Sequence, residues 1–501
     1  MSNHQAFFEC CELSKILLGG VEMNQIPNFL LERVRLTPNR IAVVSDQDEI
    51  TFKELHERVI QLAGRFHSCG IEKGKHVSVL MNNSIEFIVT VYAIHYIGAI
   101  AILLNTRLSE DEISYQIQNS DSNFLIVENE NFIAPPSTVR VLEMNNIQQF
   151  EVKPVVTREY FNHDEIATMM YTSGTTGFPK AVLQSYGNHW SSAIASVLNL
   201  GLDQSDVWLV CLPMFHVGGL STVYKSAIYG MKIVLVEKAE AGIVLNYINQ
   251  YKITILSIVT KVLNDLLNFE DMNEGLSNIR AALLGGGPAP LPLLQKAQER
   301  NVPVYQTYGM TETCSQIATL SPEFMLSKIG SAGKALFGCS LEIRENDKMC
   351  SPGVVGEIVV KGPNVSKGYY KLQTNDTSEF FYTGDLGYVD EDGFLFVVDR
   401  RSDLIISGGE NIYPAEIESI LLSHPDVIEA GVTGREDPTW GKVPIAFVIA
   451  KSNNHPSEQE MIEFCQKKLA KFKIPKEIHF VSSLPRNAAN KLVRRELHKL
   501  L

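Results

Sequence analysis

At 501 residues the chain exceeds what one ordinary core organises, so two or more domains are expected. Apolar residues make up 45% and charged ones 20%, a balance that excludes a disordered chain. The formal charge of −13 argues against a nucleic-acid partner, which would need a basic face.

Residues 1–22 read as a leader rather than as part of the fold. Gly19-Gly20-Val21-Glu22 back-translates to a purine-rich, ribosome-binding-like stretch just before Met23, which makes Met23 the expected natural start. The alternative is a genuine N-terminal helix; the segment lacks the charge and apolar run of a secretory signal. Thr51 and Glu54 form a capping box that opens a helix ending at Gly70. Strand His76–Met81, helix Ile85–Ile97 and the apolar strand Ala99–Asn105 follow. The longest apolar runs, such as Ala99–Leu104, are far short of a membrane span, so no insertion is expected. Ser109 and Glu112 repeat the capping signal before a strand at Phe124–Val127. Further strands are expected at Lys232–Val236, Thr254–Val259, Ile279–Leu284 and Pro303–Thr307, with helix-length stretches between them. Apolar strands alternating with helices predict an α/β fold whose sheets are covered on both faces.

Beyond Asp399 the pattern restarts as a small α+β unit. It has a helix at Pro414–Leu422, strands at Val427–Val432 and Ala446–Ala450, a helix at Glu458–Ala470 and a strand at Glu477–Val481. The charged stretch Asp399–Asp403 is the expected linker, dividing a domain over 23–399 from one over 400–501. The eight cysteines form no CxxC pair, which fits a reducing cytoplasm better than a zinc site or a disulfide framework. A homo-oligomer is compatible with the sequence.

The most informative string is Tyr171-Thr-Ser-Gly-Thr-Thr-Gly-Phe-Pro-Lys180, which follows a probable strand at Ile166–Tyr171. Its glycines let backbone N–H groups turn towards an anion and its hydroxyls add donors, which suits a polyphosphate. It is not the common P-loop, since neither Ser nor Thr follows Lys180. Alone, such a string also fits a solvated turn. Four more clusters sit at expected strand ends, where open α/β sheets bind ligands. Leu212-Pro-Met-Phe-His216-Val-Gly-Gly219 places a histidine and two glycines before a helix. Gly285-Gly286-Gly287 ends a strand in a turn, Tyr308-Gly309-Met-Thr311-Glu312 follows the next strand, and Tyr382-Thr-Gly384-Asp385 offers a carboxylate suited to a ribose diol. Separately, each is also satisfied by a core histidine, a sharp turn or a solvated acid.

These motifs, in this order, resemble the adenylate-forming superfamily of acyl-CoA synthetases, peptide-synthetase adenylation domains and luciferases. The resemblance runs from Met23 nearly to the end and includes Asp399-Arg400-Arg401-Ser402-Asp403, Ser407-Gly408-Gly409-Glu410 and Pro485-Arg-Asn-Ala-Ala-Asn-Lys491. Gln184-Ser-Tyr-Gly-Asn-His-Trp190, Gly285–Leu294 and Tyr308–Gln316 resemble most the branch that loads 2-succinylbenzoate onto coenzyme A in menaquinone synthesis. Ala181 departs from the glycine that many members carry there.

The resemblance implies a large nucleotide- and acyl-binding domain and a small mobile one. It implies ATP, Mg²⁺ and coenzyme A as reactants or cofactor. Thr172, Ser173, Gly174, Thr175, Thr176, Gly177 and Lys180 would cradle the β- and γ-phosphates, and Glu312 would ligate Mg²⁺. Gly286, Gly287, Tyr308, Gly309 and Thr311 would surround the nucleotide, with Asp385 on the ribose hydroxyls and Arg400 close by. Lys491 would bridge carboxylate and α-phosphate during adenylation. Arg401 and Ser402 would be the hinge, Gly408 and Gly409 would line the coenzyme channel, and His216 would gate the acyl pocket. Lys225, helped by Ser221, is the expected partner of the aromatic carboxylate. An amino-acid adenylating domain is disfavoured because His216 stands where those carry an aspartate. Another acyl-CoA synthetase and a catalytically silent nucleotide-binding protein are the remaining alternatives.

Overall fold

The computed structural model describes residues 24–128, 138–172, 179–237, 239–269, 275–286, 289–372, 379–400, 403–407, 410–437, 440–451, 456–469, 471–487 and 491–501. The expected leader, the hinge pair Arg401–Ser402, the channel glycines Gly408–Gly409, Gly287 and the phosphate-loop residues Ser173 to Gly177 lie outside them.

The predicted capping boxes form. Thr51 accepts from the Glu54 backbone and Glu54 reaches back, opening helix Phe52–Ser68. Its apolar residues Phe52, Leu55, Val59, Leu62 and Phe66 recur at helical spacing and bury one face. Helix Ile85–Ile97, capped by Ser84, is buried on nearly every side, as its almost wholly apolar sequence requires. It stops at Gly98, whose φ of 83° is a left-handed C-cap. Among the described residues no helix is long and apolar enough to cross a membrane.

Two sheets carry the large part of the chain. In the first, the order is Lys180–Ser185, Ile166–Thr172, Ile100–Leu103, His76–Leu80, Phe124–Val127, Arg140–Glu143. All neighbours are parallel except the first pair, a hairpin. The second sheet has a parallel centre of Val304–Met310, Ala281–Gly285, Ile255–Val259, Val207–Val210, Lys232–Leu235 and Ile41–Val44. Its apolar strands give the buried core around Leu209, Val234, Leu256, Leu284 and Val304.

From Ser315 to Arg400 this sheet continues as antiparallel strands, which corrects the expectation of parallel sheets alone. Their burial is uneven: Ser340–Glu345 is exposed at both ends and buries only Ile343 fully, whereas Ser315–Leu320 and Gly356–Lys361 are largely buried. Ser340–Glu345 lacks the continuous apolar run that marks a doubly covered strand.

The C-terminal unit is a separate five-stranded sheet with helices Pro414–Leu422 and Glu458–Gln466. Its core gathers Ile412, Ile417, Leu421, Val432, Val448, Met461 and Ile478. Strands Val427–Asp437 and Gly441–Ala450 form a longer hairpin than expected, and the second helix ends four residues before the predicted Ala470. Asp399 and Arg400, expected in a linker, are still in strand Leu395–Arg400, where Asp385 pairs with Arg400 in register.

Candidate active site

The hairpin of Ile166–Thr172 and Lys180–Ser185 sets Thr172 opposite Lys180, so these two residues frame the phosphate-loop segment. Gly368–Tyr370 runs alongside: Leu183 N–H donates to Gly368 O and Tyr370 N–H to Ala181 O, at 2.9 and 2.8 Å. Lys180 Nζ consequently lies 5.3 Å from the centroid of the Tyr369 ring.

The next two strand ends carry the nucleotide-site candidates. Strand Ala281–Gly285 is followed by Gly286 at φ +90°, a turn that a side chain would strain. A β-carbon on Gly309 would lie 1.9 Å from Ser315 O, so glycine is required there by backbone approach. Tyr308 Oη donates to Asp385 Oδ2 at 2.7 Å, which joins two of the predicted nucleotide residues. The turn Thr311–Thr313 carries Glu312, buried with only 5% exposed. Glu312 accepts a 2.9 Å hydrogen bond from Tyr369 Oη.

No cluster of three or more His, Cys, Asp or Glu suited to a metal occurs among the described residues. A single carboxylate nevertheless fits Mg²⁺, which keeps several waters and takes its remaining ligands from substrate phosphates. Glu312 is the carboxylate that could serve in this way, and Tyr369 links it to Lys180.

His216 is the N-cap residue of helix Val217–Tyr229. Gly218 and Gly219 therefore lie inside its first turn and not before it, as the sequence suggested. A β-carbon on Gly219 would meet Pro213 O at 2.4 Å, so the glycine lets the helix close on the preceding loop. Asn83 holds that loop by accepting from Met214 N–H and donating to Leu212 O, at 2.8 and 3.0 Å. His216 Nε2 is buried without a partner among the described residues. Burial, then the positive charges of Lys491 and Arg107, push its pKa down to about 4, so the ring is neutral at pH 7.

Ser221 and Lys225 stand four residues apart on one face of the same helix. Lys225 is only 2% exposed, and its ammonium sits 5.2 Å from the Trp208 ring centroid. Burial lowers its pKa to about 7. Such a lysine takes its charge readily only when an anion joins it. Ser221 is also buried, its hydroxyl 3.5 Å from Gly218 O within the helix.

The C-terminal unit reaches this site through Lys491. Its Cε lies 3.9 Å from where a β-carbon on Gly286 would be, and its charge acts on His216. The predicted late lysine is thus brought beside the turn after Ala281–Gly285. Asn487 holds its backbone, accepting from Lys491 N–H at 2.9 Å and donating to Lys491 O at 2.9 Å.

Sequence reasoning passed over Arg107, Asn83 and Tyr369, and gave Gln184 no role beyond its place in a resemblance string. Gln184 Nε2 donates to Thr311 O at 2.8 Å and so ties the Glu312 turn to the phosphate-loop hairpin. The string Lys367-Gly-Tyr-Tyr370 was visible, but nothing in its spacing points to a carboxylate fifty-seven residues earlier.

The AMP-binding enzyme family matches residues 30–370, and its C-terminal domain family matches residues 416–491. A 2-succinylbenzoate–CoA ligase of Bacillus cytotoxicus is 51% identical, over 96% of this chain and 99% of its own length. The o-succinylbenzoate CoA synthetase of Bacillus subtilis, solved with its acyl-adenylate intermediate, superposes with a TM-score of 0.89 at 46% identity, covering 95% of this chain and 98% of that one. The same enzyme with ATP and magnesium ion gives 0.89 at 45% identity, covering 95% and 100%. The chain therefore belongs to the AMP-binding enzymes and, among them, to the family of the 2-succinylbenzoate–CoA ligases.

Proposed function

We propose that the protein activates 2-succinylbenzoate with ATP and passes the acyl group to coenzyme A, giving 2-succinylbenzoyl-CoA, AMP and pyrophosphate for menaquinone synthesis. The observation that carries this reading is Lys491 beside Gly286, with Glu312 just after the neighbouring strand and Tyr308 bonded to Asp385, in a chain half identical to such ligases.

In the first half-reaction the aliphatic carboxylate attacks the α-phosphorus, and the bond to pyrophosphate breaks. Lys491 places a positive charge between the two reacting anions, Thr172 and Lys180 hold the distal phosphates, and Asp385 accepts from the ribose hydroxyls. Glu312 would hold Mg²⁺, which supplies charge neutralisation on the phosphates when bound. In the second half-reaction the coenzyme A sulfur attacks the acyl carbon and AMP leaves with the bonding pair. Neither step needs a nucleophile from the protein, so alignment and charge stabilisation carry the rate.

His216, neutral, shapes the passage between acyl pocket and thiol. Lys225 and Ser221 receive the aromatic carboxylate, which would restore the charge that burial takes from the lysine. Gly286, Gly309 and Thr311 lie against the nucleotide, and rotation about residues near Ser402 brings Gly408 and Gly409 to the coenzyme. The reactants are small molecules, and the cytoplasm, where ATP and coenzyme A are at hand, is the proposed compartment. Pyrophosphate release with purified protein, ATP and a panel of acids tests the reading: release with octanoate or benzoate but not succinylbenzoate would reassign the substrate.

A further inference from the structure

All three carbonyls of the Glu312 turn are tied down. Gln184 Nε2 donates to Thr311 O at 2.8 Å, Ser366 N–H to Glu312 O at 2.7 Å and Asn364 Nδ2 to Thr313 O at 3.0 Å. The segment that supplies two of these bonds continues to Tyr369, which pairs with Val182 across an isolated bridge. From there Tyr369 donates its hydroxyl to Glu312 Oε1 at 2.9 Å and lays its ring under Lys180 Nζ at 5.3 Å. One side chain therefore touches both groups assigned to the ATP phosphates in the proposed function. We propose that Tyr369 is a positioning residue that sets the metal carboxylate Glu312 and the phosphate lysine Lys180 in register with each other.

The physical grounds are geometric. A glutamate carboxylate on three rotatable bonds has several orientations, and a hydrogen bond to one oxygen fixes its plane before the cation arrives. A flexible lysine stem is likewise restrained by the ring face. The inference rests on the proposed ATP and magnesium sites.

Calorimetric binding of ATP without acid substrate, at zero and saturating Mg²⁺, separates the two contacts. Tyr369→Phe keeps the ring and removes the hydroxyl. It should leave Mg²⁺-free ATP affinity unchanged and cut the Mg²⁺-dependent gain roughly tenfold, the scale of a hydrogen bond to a charged group. Tyr369→Leu should weaken ATP binding without Mg²⁺ as well. In a Glu312→Gln background, Tyr369→Phe should have no further effect on the Mg²⁺-dependent gain. Equal weakening with and without Mg²⁺ in Tyr369→Phe, or an undiminished effect in the Glu312→Gln background, would overturn the inference. Wild-type protein that binds no ATP would instead sink the ligase reading itself.

Discussion

Arg494 Nη1 donates to Asp399 Oδ1 at 2.8 Å, which joins the last strand of the large sheet to a residue three positions after Lys491. The same guanidinium holds Asp403 at 2.9 Å and Glu418 at 2.7 Å, and Asp399 also accepts from Ala415 N–H at 2.8 Å. Burial opposes the charge on Arg494, but its bonds to Glu418 and the nearby Asp399 and Asp403 outweigh it and raise the pKa. The segment bearing Lys491 is thereby moored to the nucleotide-binding domain. Asp399, whose side chain is 1% exposed, would be left without this partner in Arg494→Ala. Losing one member of a buried pair costs about 3–5 kcal/mol. The variant should lower the unfolding midpoint and slow pyrophosphate release. Thioester formation from supplied acyl-adenylate should suffer less, and equal loss in both half-reactions would contradict the mooring role.

Lys491→Ala tests the adenylation charge itself. Loss of a preorganised donor of this kind costs ~10²–10³ in rate. Pyrophosphate release should fall by that factor, while transfer from preformed adenylate to coenzyme A stays within a few-fold. Unchanged release would remove Lys491 from the chemistry.

Lys225 gives substrate binding a pH dependence. With its pKa lowered to about 7 by burial, the free enzyme loses the charge as pH rises through that value. The KM for succinylbenzoate should climb between pH 6 and pH 9. Lys225→Met should weaken binding by ~2–5 kcal/mol and remove that slope. An analogue without the aromatic carboxylate should respond to neither change.

Two buried histidines and the partly buried His216 predict acid sensitivity of the fold. Burial holds His95 and His189 near pKa 3 and His216 near 4, whereas an unfolded histidine titrates near 6.5. Below pH 6.5 the unfolded chain therefore binds protons that the native one refuses, so stability rises with pH across that window. It is fully present above about 6.5 and is lost on acidification, by up to ~1.4 kcal/mol per pH unit per histidine. The urea midpoint should fall from pH 7 to pH 5, and His189→Gln should lessen the slope by about one proton. A flat midpoint would contradict the assigned neutrality.

Helix Ile85–Ile97 and strand Phe124–Val127 were legible to the residue, because caps and apolar runs are local signals. The antiparallel strand Ser340–Glu345 was not, since its largely half-exposed pattern blends into loop composition. In the site, each motif announced its own residues through glycine and carboxylate placement. What joins motifs lies in long-range contacts such as Asn83 to Leu212 and Tyr369 to Glu312, which spacing along the chain does not encode.

Pyrophosphate release dependent on both ATP and acid, with 2-succinylbenzoate beside benzoate, octanoate and an amino-acid mixture, tests the central claim most directly. The expected result is release with succinylbenzoate alone, and a coenzyme A thioester of that acid once coenzyme A is added. Release with a different acid would contradict the substrate assignment, and no release with any acid would contradict the ligase activity.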